Sequence, residues 1–172
     1  MAVADGREYG SVSSRRAADR GPVRRRSPVG PDREDALRLF VYGTLMRGES
    51  NHHYLQNSRF LREVATGGGF ELLDLGDFPG MVRRGRGCVQ GELFEVSREV
   101  LAAVDELEDH PNTYWRTEVQ LADRSRAASY LLIDEGLCRR PRIGGGDWRR
   151  HRAVGASDAA GEGDSSARRG TT

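Results

Sequence analysis

Residues 91–111 read GELFEVSREVLAAVDELEDHP, and the change of pattern inside them decides the fold class. From Cys88 to Val96 the side chains alternate closely enough for a strand. From Ser97 onward Val100, Leu101, Val104 and Leu107 recur at helical spacing. Ser97 is suited to cap such a helix, and Glu99 sits in the first turn, where the helix dipole favours negative charge. Pro111 closes the segment. Working outward, Leu39 to Tyr42 form a short apolar and aromatic run ended by Gly43, which predicts a buried strand entering a turn. Arg59 to Val64 and Phe70 to Leu75 are extended stretches separated by Gly67, Gly68 and Gly69. Phe78, Pro79, Gly80, Met81 and Val82 read as a turn opening into another strand, and Tyr114 to Leu121 and Ala127 to Ile133 are strand-like. Strands around one main helix, with no repeating period, predict an α+β domain: a curled sheet or small mixed β-barrel with few helices.

The chain has 172 residues, room for one domain. Its 27 cationic side chains are all arginine and are balanced by 26 acidic ones, for a net charge of +1. That mixed surface lacks the basic excess of a nucleic-acid binder, so no nucleic-acid partner is expected. Cys88 and Cys138 belong to no metal or redox spacing and read as buried or idle thiols in a reducing compartment. Arg24, Arg25 and Arg26 are followed by no apolar stretch long enough for a signal peptide or membrane span, so a cytoplasmic protein is expected, without a membrane partner. Residues 1–36 are polar with no periodic apolar set and predict a disordered arm. Residues 153–172 are Ala, Gly, Ser, Asp and Arg and predict a disordered tail. The domain is then residues 37–152.

Two features of that domain bear on chemistry. At about 100° per residue, the apolar face of the helix centres near 30° from Val100. Glu108 lies about 50° from that centre, whereas Asp105 and Glu106 lie about 110° and 150° away. Only Glu108 leans toward the core. Losing water there disfavours its charged form and raises its pKa, the profile of a general base; a border carboxylate can equally hydrogen-bond a neighbour and do no more. The second feature is the turn Tyr42, Gly43, Thr44, Leu45. Glycine permits positive φ and close approach of a ligand, and successive free N–H groups in such a turn can hold an oxyanion or carboxylate, although strands also end this way without any ligand.

Taken together, LFVYGTLMRGESNHHYL from residue 39, LLDLGDFPGMV, GELFEV, VDELEDHPNTYWR and GGGDWRRHR resemble the γ-glutamylcyclotransferase family, with its relatives that act on γ-glutamylamines and the plant AIG-two-like proteins. The resemblance implies that family's small-barrel fold and an enzyme that cyclises a γ-glutamyl group to 5-oxoproline, releasing an amine or amino acid. It implies Glu108 as catalytic base, in VDELE where Val104 replaces the usual Leu. It further implies substrate contacts from Tyr42, Gly43, Thr44 and Leu45, from Tyr114, and from the strand carrying Pro79 and Met81. The partner would be a small γ-glutamyl molecule. Because nucleophile and electrophile belong to one substrate, no metal or cofactor is expected. A non-catalytic module of the same fold, binding a glutamyl-like ligand or a partner, is the alternative, and Glu108 counts against it.

Other signals are declined. Gly85, Gly87 and Gly91 have the wrong spacing for a dinucleotide loop and read as turn glycines. His52 and His53 point different ways and lack a third ligand. Trp115 and Trp148 read as packing groups, and His110 as an exposed residue at a helix end.

Overall fold

In a computed structural model of the protein, residues 37–161 are described. The arm expected over residues 1–36 lies outside the described residues. Seven strands form: β1 (Leu37–Val41), β2 (Arg59–Ala65), β3 (Glu71–Asp74), β4 (Pro79–Val82), β5 (Gln90–Val96), β6 (Tyr114–Gln120) and β7 (Arg126–Leu132). With them come two α-helices, α1 (Arg98–Leu107) and α2 (Trp148–Gly161), which makes the domain α+β as expected.

Five strands build one sheet in the order β2-β5-β1-β7-β6. The apolar strand β1 is central, antiparallel to β5 and parallel to β7. Burial on both faces is what its unbroken run Leu39, Phe40, Val41 requires. Gly91 is a strand glycine here, not a turn glycine: a Cβ on it would stand 2.2 Å from the Val41 carbonyl oxygen and 2.7 Å from the Phe40 ring.

The sheet curls until its outer strands meet at one corner. Thr66 bridges Leu121, Gly67 N–H donates to Gln120 O (2.8 Å), and Ala122 N–H donates to Ala65 O (3.0 Å). No closed barrel results, which corrects that part of the expectation. The pairing between these edges is confined to that corner, which lies beside the glycine run with Gly69 at φ 99° and the turn with Arg124 at φ 67°. Strands β3 and β4 form a separate hairpin, and Gly80 of β4 sits against the Leu132 side chain of β7.

Helix α1 starts where the sequence places it: Ser97 Oγ accepts the Val100 N–H (3.3 Å), and Leu101 and Val104 are buried. It stops before Pro111, through a left-handed turn at Asp109 (φ 49°). Asp109 N–H donates to Glu106 O (3.2 Å) and His110 N–H to Asp105 O (2.9 Å), the pair of bonds that satisfies the last carbonyls of a helix. Aspartate tolerates this conformation because its carboxylate is held by Asn112 Nδ2 (2.9 Å) and Thr113 Oγ1 (2.7 Å).

Helix α2 runs on to Gly161, so the first part of the tail expected to be disordered from residue 153 is helical, and residues 162–172 lie outside the described residues. The composition that cannot fill a core is alanine-rich, and alanine extends a helix once its start is anchored. Trp148 is that anchor and is 1% exposed. Trp115, by contrast, is half exposed and lies edge-on to His110, which is itself partly buried. No helix among the described residues is long and apolar enough to cross a membrane.

Candidate active site

The central strand β1 delivers its last residues to one end of the sheet, where Gly43 to Met46 turn back. Met46 N–H closes this turn on Gly43 O (3.0 Å). Thr44 O accepts from Asn51 N–H (2.9 Å) and Met46 O from Glu49 N–H (3.0 Å). Leu45 O lies 3.1 Å from His52 Nδ1, so that nitrogen carries the proton and donates. Four successive carbonyls are thus engaged. The N–H groups of Gly43, Thr44 and Leu45 have no acceptor among the described residues. Consecutive free amides form a concavity that favours an anion.

Gly43 is required here for packing. It is absent from the positive-φ positions, which corrects the conformational reason expected for it. A Cβ would fall 2.7 Å from Pro79 Cγ and 2.8 Å from Pro79 Cδ, so only glycine lets the turn rest on β4.

Tyrosines fix the walls. Tyr42 Oη donates to Tyr130 O (2.8 Å) and accepts the Met81 N–H (3.3 Å), tying β1 to β7 and β4. Tyr114 Oη donates to Pro79 O (3.1 Å). Burial pushes both hydroxyl pKa values up, and the negative charge of Glu108 adds to each, so both stay protonated and remain structural donors. Tyr130 Oη donates to Asp105 Oδ1 (2.7 Å), and Arg116 pairs with the same carboxylate. Asp105 is therefore engaged by the sheet, where the helix geometry alone put it toward solvent.

These groups enclose a cavity of about 390 Å³. Tyr42, Gly43, Thr44, Leu45, Pro79, Glu108 and Tyr114 all line it. Met81 does not: its side chain is fully buried in the core and only its backbone N–H reaches toward the site, which corrects its expected place in the lining. β4 is buried on both faces, so alternation along it cannot tell the cavity side from the core side. Glu108 is the residue on which α1 ends, with φ −84° and ψ 3°, and its carboxylate has no hydrogen-bond or ion-pair partner among the described residues. No arginine or histidine lines the cavity to offset its charge. Burial accordingly raises its pKa from 4.5 to about 7.

Sequence reasoning missed Asn51, which braces the turn through Nδ2 to Thr44 Oγ1 (3.0 Å), and Tyr130, Asp77 and Phe78 in the lining. Asn51 follows the YGTL turn closely enough to have been found as its brace. Tyr130 lies inside an apolar strand and gives no such signal.

The family model described as "Gamma-glutamyl cyclotransferase, AIG2-like" matches residues 39–150, from β1 to the first turn of α2. The chain belongs to this γ-glutamylcyclotransferase family. A Vibrio cholerae protein that carries the family's name is 46% identical over 82 residues, covering 48% of this chain and 70% of that protein. The γ-L-glutamyl-butirosin B γ-glutamyl cyclotransferase of Niallia circulans is 44% identical over 73 residues, covering 42% of this chain and 46% of that enzyme. The chain thus spans less than half the length of the butirosin enzyme. Among solved structures, an uncharacterized protein from Pyrococcus horikoshii superposes with a TM-score of 0.60 at 29% identity, covering 70% of this chain and 97% of that one. The matched cyclotransferase region contains every residue of the cavity described above.

Proposed function

We propose that this chain is a γ-glutamylcyclotransferase in activity as well as family, cyclising a γ-glutamyl group to 5-oxoproline with release of an amine or amino acid. One observation carries the reading: a partnerless carboxylate with a pKa of about 7 shares a small cavity with three free backbone amides. Glu108 takes a proton from the substrate's α-ammonium, and the freed nitrogen attacks the γ-carbonyl carbon of the same molecule. The new C–N bond places negative charge on the former carbonyl oxygen, for which the Gly43 to Leu45 amides are the donors. When the intermediate collapses, the bond from the γ-carbon to the leaving nitrogen breaks. The attacking nitrogen sheds two protons over the reaction and the leaving nitrogen gains two, so Glu108 relays them and ends as it began. Tyr42, Pro79 and Tyr114 shape the wall against which the glutamyl chain folds.

The test is 5-oxoproline release by purified protein from a panel of γ-glutamyl dipeptides and γ-glutamylamines. Release from at least one, abolished by Glu108→Gln, is expected. Binding of a γ-glutamyl compound with no release from any would instead establish a non-catalytic module.

A further inference from the structure

Beside the cavity, a second polar cluster takes no part in the chemistry above. Glu92 of β5 is 1% exposed and sits behind the turn. Its Oε2 accepts the backbone N–H of Arg47 (2.8 Å), and its Oε1 accepts Arg47 Nε and Arg149 Nη2, each at 3.1 Å. Arg149, in the first turn of α2, also donates from Nη2 to the Arg47 carbonyl. Both backbone polar groups of Arg47 are therefore held, and its guanidinium lies 3.5 Å over the Phe60 ring. Three donors converge on Glu92, so the position calls for a group that only accepts. A buried carboxylate costs stability unless paired this fully, and it makes the geometry around it rigid.

We propose that Glu92 is a positioning residue, which with Arg149 clamps the far end of the Gly43 to Met46 turn and so keeps the three amides aimed into the cavity. Tyr42 holds the near end through its hydroxyl, and the clamp holds the far end one residue beyond Met46. Helix α2 thereby supports a site it does not line. Only the kinetic consequence of the clamp rests on the cyclisation reading.

The test uses Glu92→Gln and Arg149→Met in the full chain, at a temperature where melts show each variant folded. Glutamine would turn an NH₂ group toward a donor; methionine removes one counter-ion from a half-exposed position and serves if Glu92→Gln does not fold. Hydrogen exchange is read at the amides of Met46, Glu49 and Asn51, which close the turn without touching Glu92. Exchange faster by about tenfold or more is expected, because the turn opens locally. Loss of kcat/KM by about 10- to 100-fold should accompany it, the scale of a displaced positioning group. The acid-side inflection of the pH profile should stay in place, since Glu108 is untouched. Wild-type exchange in the folded variants, with only a lowered melting temperature, would overturn the proposal. Should the wild-type protein release no 5-oxoproline, the cyclisation reading fails and the exchange measurement still decides the clamp.

Discussion

Replacing Glu108 by glutamine moves two observables in opposite directions. Burial takes this carboxyl from a pKa of 4.5 to about 7. At about 1.4 kcal/mol per pH unit, ionising it in the folded protein costs on the order of 3 kcal/mol more than in the unfolded chain. The sign follows from proton counting. Between pH 4.5 and about 7 the folded protein keeps a proton that the unfolded chain releases, so stability falls as pH rises through that window, and the deficit is complete above it. Glutamine does not titrate. Glu108→Gln should therefore be more stable than wild type by about 1 kcal/mol at pH 5 and about 3 kcal/mol at pH 8, read from urea unfolding at the two pH values. Turnover should fall by about 100-fold or more, the usual scale for losing a general base. The wild-type kcat/KM should rise with pH through an inflection near 7, and the variant should lack it. Glu106→Gln is the control, because its side chain is exposed and should leave rate and pH dependence near normal. A Glu108→Gln protein with unchanged turnover, or with a stability difference that does not grow between pH 5 and pH 8, would refute the reasoning.

Gly43→Ala should cost about 1–3 kcal/mol by denaturant unfolding and lower turnover in the protein that still folds, because the added methyl meets Pro79 at 2.7 Å and must push the turn away. Tyr42→Phe strands the Tyr130 carbonyl and the Met81 N–H, so a loss of about 1–3 kcal/mol is expected, with the acid-side inflection unmoved in the pH profile. A chain of residues 37–152 should keep a cooperative melt and near-normal turnover, since Trp148 and Arg149 precede the cut; a large drop in melting temperature would show that later residues carry packing.

Every strand and α1 could be read from local pattern, because period two, period 3.6 and turn residues are properties of neighbours in sequence. Glu108 was readable for the same reason. Its direction depends only on the turns of α1 before it, and the stop at Asp109 comes after those turns are complete. Barrel closure is not legible locally, because it depends on how far two distant edges pair beyond Ala65 and Gln120, and a strand reads alike whether or not its edge is paired. Helix α2 was not legible in the sequence because alanine lengthens a helix without adding a periodic apolar face.

Gly43 and Glu92 mark the boundary between what is local and what is not. Gly43 stands out in the sequence as a glycine ending a strand, whereas Glu92 is one charge inside GELFEV and carries no signal of its own. The physical reason for each lies across the fold. Gly43 is small because Pro79 rests on it, and Glu92 is acidic because Arg47 and Arg149 converge on it. Read alone, the glycine suggests backbone freedom, and nothing in the local pattern marks the glutamate as buried. The cavity makes sense of both, since free amides on a turn are useful only if that turn is held still: Pro79 holds it from one side and Glu92 from the other. An N–H group that must wait for a charge to develop has to be aimed before the charge appears. On the cyclisation reading, that requirement accounts for a fully buried glutamate behind a turn that carries the oxyanion donors.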